Sequence, residues 1–281
     1  MLKIGPYRLS AIETGEFALD GGAMFGVIPK PLWEKRIPVD ARNRIDMRLR
    51  ALLIQGEGKN ILVDTGIGDK GDTKFNDIYR VDHSRYTLES SLAKKGLKPE
   101  DITDVVITHL HFDHVGGATK YDSEGNLVPT FPNAIYHIQK RHLEWARSAT
   151  ERDMASFRKE DFMPLVEQSR VNLLEGETEL YPGITVRLSN GHTTCQQHVL
   201  VSDGKESLFY CGDLIPTSVH VSLPWIMGYD IKPLTTLEEK KSLLDEAVEK
   251  NYILFFEHCP HMAAAHVGTK LGKYIITSSI L

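Results

Sequence analysis

An α/β sandwich with its helices on the outside is the fold class that this 281-residue sequence predicts. Three observations point to it. Short β-branched or apolar runs recur along the chain, and helical patterns separate them in both halves. Several of those runs also stop abruptly on His or Asp. Strands that end in this way set polar side chains at a sheet edge, where a ligand can approach.

In chain order, Met47 to Gln55 and Asn60 to Asp64 read as two strands, joined through Gly56-Glu57-Gly58-Lys59 in a hairpin. Thr87 to Lys95 reads as a helix: Thr87 caps it, Leu88 and Leu92 share one face, and Gly96 stops it. Asp104-Val105-Val106-Ile107-Thr108 is a buried strand leading into a histidine cluster. Glu144 to Gln168 is charged and helical in pattern, so it is expected to be a solvated face without a catalytic role. Further strands fit Ala134 to Ile138, Ile184 to Leu188, His198 to Ser202 and Ser207 to Cys211. Thr236-Leu237-Glu238-Glu239 has the form of a capping box. After it, Leu237, Leu243, Leu244, Ala247 and Val248 build an apolar helical face. Tyr252 to Phe256 is a last apolar strand, and it delivers Glu257-His258.

Composition narrows the function. With 25% charged and 41% hydrophobic residues the chain is an ordinary globular protein, and no linker or repeat divides residues 1–281 into more than one domain. A formal net charge of −5 supplies no basic field for nucleic acid. No apolar stretch approaches the roughly 20 residues that span a bilayer. The start, Met1-Leu2-Lys3-Ile4-Gly5-Pro6, lacks the apolar core of a secretory signal, so a cytoplasmic location is expected. Cys195, Cys211 and Cys259 are odd in number and widely spaced, which argues against a disulfide framework. Each lies near a candidate ligand, yet a small buried hydrophobe is the simpler role.

His109-Leu110-His111-Phe112-Asp113-His114 carries the chemistry. Its three imidazoles and one carboxylate all ligate divalent metals. In an extended chain His109, His111 and Asp113 would share one face. A turn would instead let His109 and His111 hold one ion while Asp113 and His114 swing toward another. Three later positions offer more donors: His192 in a glycine turn, Asp213 in Cys211-Gly212-Asp213, and His258 after the last strand, with His261 as its competitor.

The order HxHxDH, Gly-His-Thr, Gly-Asp and a late His resembles the dinuclear hydrolases of the metallo-β-lactamase superfamily. Leu62-Val63-Asp64-Thr65-Gly66 resembles the strand-ending Asp-Thr-Gly of that family. Phe25 to Trp33, Gly212 to Thr217 and Gly228-Tyr229-Asp230 are similar to a quorum-quenching-lactonase-like branch. The resemblance implies a four-layer αβ/βα sandwich. It implies that His109, His111 and His192 hold one metal, that Asp113, His114 and His258 hold a second, and that Asp213 bridges them. By the same resemblance Asp64 orients ligand histidines, and residues 1–45 cover the site or an interface. Two departures stand out. The second His of Gly-His-Thr-Pro-Gly-His is missing from Gly191-His192-Thr193-Thr194-Cys195-Gln196, which leaves Gln196 or His198 to take its part. Pro216 stands where some lactonases carry a tyrosine that polarises the lactone carbonyl.

Two such cations, most commonly zinc with iron, manganese or cobalt as alternatives, generate hydroxide at neutral pH. The implied activity is opening of a lactone or cleavage of a related carboxylic ester on a small molecule, with Asp113 and Asp213 as the catalytic carboxylates. Phosphotriester or phosphodiester hydrolysis uses the same nucleophile. An iron persulfide dioxygenase is less compatible with two complete donor sets, and a non-catalytic binding module least of all. Short spans from His192 to Asp213 and from Asp213 to His258, and the short tail after His258, exclude branches with inserted or appended substrate domains. Phe25, Trp33, His220, Trp225 and Met227 are candidate pocket residues, although core packing or a homodimer contact would explain the apolar ones equally well.

Overall fold

The computed structural model describes residues 2–280. Fourteen strands form two seven-stranded sheets, each with its strands in chain order. The first sheet contains β1 (Leu2–Ile4), β2 (Tyr7–Asp20), β3 (Arg44–Gly56), β4 (Lys59–Val63), β5 (Asp104–Val106), β6 (Ile135–Gln139) and β7 (Val171–Leu174). The second contains β8 (Thr178–Tyr181), β9 (Ile184–Ser189), β10 (Gln196–Ser202), β11 (Ser207–Tyr210), β12 (Ile253–Phe255), β13 (Ala264–Lys270) and β14 (Lys273–Ser279).

Period-two alternation explains the layering. Leu52 and Ile54 of β3 face the second sheet, where they meet Val199, Leu208, Tyr210 and Phe255. Their neighbours Ala51 and Leu53 face outward onto Leu92, Leu143 and Leu165 of the first helical layer. On the far side, Phe209 and Leu254 turn outward onto Leu243, Leu244 and Ala247 of helix Pro233–Glu249. Both faces of the central strands are buried, so these strands read as continuous apolar runs rather than alternating ones. The result is the four-layer αβ/βα sandwich.

Two sets of parallel strands aim the site. β4, β5 and β6 run parallel, as do β11 and β12, so their carboxyl ends lie at one edge of the sandwich. Asp64, His109, Asp213 and His258 follow β4, β5, β11 and β12 directly or within a few residues. The Ile107 amide still donates to the His137 carbonyl at 3.2 Å, and the chain then leaves the ladder at Thr108, whose amide donates to Asp64 Oδ1 at 2.7 Å. Gly116 and Gly117 then let the Thr65–Ile67 loop pass against them. A Cβ on Gly116 would lie 2.1 Å from the Ile67 carbonyl, and one on Gly117 would lie 2.3 Å from that of Thr65.

Two expectations need correction. The last long helix starts at Pro233 with Lys232 as its N-cap, so Thr236 lies inside it and makes no capping box. Glu239 is engaged elsewhere: its carboxylate accepts from the amides of Asn190 and Gly191 at 2.7 and 3.0 Å and so holds the loop that carries His192. Glu144 to Gln168 is not one solvated helix. Helices Lys140–Arg147 and Lys159–Glu167 are separated by an irregular turn that reaches the site. No helix of the described residues is long and apolar enough to cross a membrane.

A buried ion pair fastens the loop after β4. Lys70 Nζ lies 3.1 Å from Asp161 Oδ1, with side chains 1% and 0% exposed, and it also donates to the carbonyls of Gly116 and Thr119. Burial lowers the Lys70 pKa and raises that of Asp161, so each ion depends on the other to stay charged. Asp161→Ala is expected to cost about 3–5 kcal/mol in urea unfolding, because it strands a buried cation. The double variant Lys70→Met, Asp161→Leu is expected to recover most of that loss.

Candidate metal centre

Seven side chains from both sheets converge beyond those strand ends. Ligating atoms of His109, His111, His192 and Asp213 lie within 4.8 Å of one another, as do those of Asp113, His114 and His258, and all seven residues are buried. Asp213 faces both groups. Its Oδ2 lies 3.1 Å from His192 Nε2 and 3.8 Å from His109 Nε2. Its Oδ1 lies 3.5 Å from His114 Nε2 and 3.3 Å from His258 Nε2. Asp113 Oδ2 stands 3.8 and 3.7 Å from the same two imidazoles.

The far side of each ring decides which nitrogen faces the centre. His192 Nδ1 donates to Asp230 at 2.8 Å, and His258 Nδ1 donates to the Arg48 carbonyl at 2.9 Å. The Thr108 hydroxyl donates to Asp64 Oδ2 at 2.7 Å and accepts from His109 Nδ1 at 3.0 Å. His114 Nδ1 lies between Asp64 Oδ2 at 3.1 Å and Glu257 Oε2 at 3.0 Å. These contacts leave Nε2 of all four rings directed inward. His111 presents Nδ1 instead, 3.1 Å from His192 Nε2.

A divalent cation fits this donor set. His109 Nε2 and Asp213 Oδ1, both facing the centre, are buried without a hydrogen-bond partner, a costly arrangement for polar atoms with nothing to bind. Burial and the neighbouring imidazoles hold His109 and His111 well below the usual histidine range, so both remain neutral ligands.

The structure separates the remaining candidates. His258 faces the cluster, whereas His261 is exposed in another groove with Arg48 and Tyr86. Of the five proposed pocket residues, Met227 lines the cavity of about 230 Å³ above the donors. Phe25, Trp33, His220 and Trp225 do not. Phe25 stacks on His220 and Trp33, with centroids 4.9 and 5.0 Å apart, and Trp225 meets its edge. His220 accepts from the Thr217 hydroxyl and donates to the Met24 carbonyl, both at 2.8 Å, which makes it a satisfied core histidine. His198 bonds Ser189 at 2.8 Å and stacks on Phe209, away from the donors. The Gln196 amide is buried beside Gly212 with no partner for either of its polar atoms. The three cysteines are free and buried and stand outside the donor groups.

Several contributors escaped the sequence reading. Met24, within residues 1–45, lines one wall of the cavity; Tyr79, Arg152, Ser156 and Tyr229 line others. His142, just before the segment expected to be solvated, accepts from the Leu110 amide at 2.8 Å and donates to the Thr194 carbonyl at 2.7 Å. It thereby ties the first histidine loop to the loop of His192, and burial lowers its pKa to about 4. Asp230 and Glu257, which brace ligand rings, had only their places beside Tyr229 and His258 to mark them.

This fold and donor arrangement define a metal-binding αββα protein. A family model for the metallo-beta-lactamase superfamily matches residues 50–258, and the chain belongs to that superfamily. It is 25% identical over 228 residues to an N-acyl homoserine lactonase of Bacillus cereus, covering 77% of this chain and 83% of that one. The N-acyl homoserine lactonase AiiB of Agrobacterium fabrum is 29% identical over 130 residues, 43% of this chain and 46% of its own. A solved probable metal-dependent hydrolase from Staphylococcus aureus matches with a TM-score of 0.89 and 28% identity, over 100% of both chains. AidC, a dizinc quorum-quenching lactonase, shares the fold with a TM-score of 0.79 at 23% identity, over 100% of this chain and 97% of that one. The chain is a metal-dependent hydrolase of that superfamily, and N-acyl homoserine lactonases are among the proteins that it is similar to.

Removing a brace should weaken metal binding without removing a donor. Asp64→Asn is expected to lower metal affinity about 10–100-fold in a chelator competition. His258→Ala should lower the metal content measured by mass spectrometry, and His261→Ala should not.

Proposed function

We propose that this protein is a dinuclear metal hydrolase that opens a lactone or cleaves a related carboxylic ester. The observation that carries the reading is Asp213, with one oxygen toward His109 and His192 and the other toward His114 and His258. A carboxylate so placed serves two cations at once. His109, His111 and His192 hold the first and Asp113, His114 and His258 the second, with zinc the ion that suits the nitrogen-rich donors best. Two divalent cations held there supply hydroxide at neutral pH and polarise the acyl oxygen.

The chain's own residues do the rest. Asp64, Asp230 and the Arg48 carbonyl hold the imidazoles by Nδ1 and so aim Nε2 at the centre. Leu19, Met47, Phe112 and Met227 form an apolar wall that limits water beside the acyl group. Asp113, at the cavity floor, is placed to pass a proton to the leaving alkoxide. Pro216 offers no hydroxyl for the carbonyl, and its own carbonyl accepts from the His258 amide at 3.1 Å. Tyr79 and Tyr229, on the cavity wall, carry the nearest phenolic hydroxyls available for that part. The free buried cysteines fit a reducing, cytoplasmic setting.

Purified protein is expected to carry about two metals per chain and to turn over a panel of lactones faster than aryl phosphotriesters. Dialysis against a chelator should abolish that activity and zinc should restore it. Asp213→Asn should lower lactone opening by about a hundredfold. Metal-loaded protein inert on every lactone but active on the phosphotriesters would replace this reading with phosphorus chemistry.

A further inference from the structure

We infer that Arg152 reads an anionic group on the substrate, so that the preferred substrate is a small lactone or ester carrying a carboxylate next to its scissile bond. The inference rests on the hydrolase reading above and adds the substrate class to it.

Arg152 is held on a turn with little freedom. Asp153 accepts from the Thr150 amide at 2.9 Å, from the Thr150 hydroxyl at 2.7 Å and from Trp145 Nε1 at 2.8 Å. The Met154 amide closes the turn onto the Thr150 carbonyl at 2.8 Å. From that turn the guanidinium crosses the lip of the cavity, where Nη2 donates to the Gly228 carbonyl at 2.7 Å and to that of Asp230 at 3.4 Å. Both contacts run from one nitrogen, which leaves the Nε and Nη1 N–H groups as single, charge-assisted donors to an anion.

The carboxylates around the cavity do not satisfy those donors. Asp113 and Asp213 belong to the donor groups, and Asp153 commits both oxygens to its own turn and Trp145. Among the described residues, Arg152 is the cationic side chain that lines the cavity. Size agrees with this. A cavity of about 230 Å³, open at its mouth, lies below the roughly 300–1,000 Å³ of pockets for drug-sized ligands and accommodates a small reacting end of the substrate. Apolar walls on one side and a lone guanidinium on the other suit a short acid with one hydrolysable acyl bond.

The reaction balances without further reactants. Water oxygen bonds to the acyl carbon, the ring C–O bond breaks, and the leaving alkoxide takes a proton. The product is a hydroxy acid with two carboxylates, and the original one stays opposite Arg152 throughout.

Matched pairs test this in the metal-loaded enzyme. The ratio of kcat/KM for γ-butyrolactone-γ-carboxylate over γ-butyrolactone is expected to be about tenfold or more in the wild type, the size of one charge-assisted pair. Arg152→Gln should bring the ratio toward one through KM, while Arg152→Lys keeps part of it. The ratio corrects for any loosening of the Gly228–Asp230 loop, because both lactones meet the same altered site. Calorimetry with tetrahydrofuran-2-carboxylate, which has no acyl bond in its ring, should show binding about tenfold weaker in Arg152→Gln. A wild-type ratio at or below one, or a ratio unchanged by the substitution, overturns the inference. If neither lactone is opened, the hydrolase reading fails, and the calorimetry alone decides Arg152, with equal affinities overturning its role.

Discussion

The carboxylate of Asp64 is the point on which the site depends. It accepts from the Thr108 amide, the Thr108 hydroxyl and His114 Nδ1, and through the hydroxyl it also fixes His109. One buried anion therefore ends the strand before the histidine cluster, turns the chain out of the sheet and selects the tautomer of two rings. Asp64 adopts a positive φ of 59°, a conformation that Asp tolerates better than most residues. A short polar side chain is needed to reach back to Thr108, and a backbone that turns left is needed to place it. Few residue types other than Asp and Asn meet both demands, and Asn lacks the charge.

How much of this was legible in the sequence depended on whether the cause was local. Alternation and turn chemistry are local, so the hairpin at Glu57-Gly58, the Thr87 cap and the central strands could be read directly. The donors stood out because three imidazoles and a carboxylate in six residues are costly to keep without a partner. What failed was non-local. Thr236 to Glu239 has the letters of a cap, but Pro233 had already begun the helix, and Glu239 serves a loop far from it in the chain. The charged segment around Arg152 looked like solvent-facing helix because nothing nearby in sequence says that Gly228 lies across from it. Phe25, Trp33 and Trp225 left substrate wall and core packing equally open for the opposite reason: aromatic rings look alike in a core and in a cavity until their neighbours are known.

The division of labour follows the same line. Strand ends carry the donors, so their positions are inherited from the hydrogen-bonded register of the sheets. Beyond Leu19 of β2 and Met47 of β3, the cavity walls come largely from connections: the segment after β2, the turn before helix Lys159–Glu167 and the loop around Tyr229. The proline at 216 belongs to a connection as well, and Gln196, in the place of the missing second histidine, stands where a connection enters β10; connections are where a family of shared chemistry can change substrates without disturbing its metals.

Donors drawn from two sheets also make the centre a clasp between halves of the chain. His109, His111, Asp113 and His114 come from the first sheet's side, and His192, Asp213 and His258 from the second's. The centre cannot assemble until β12 has docked beside β11, because His258 arrives only then. A complete centre thus requires that the two sheets have closed on each other, and a full complement of metal reports it. A chain stalled with one sheet formed offers a metal half a site, and such a chain remains distinguishable from the finished protein by what it fails to hold.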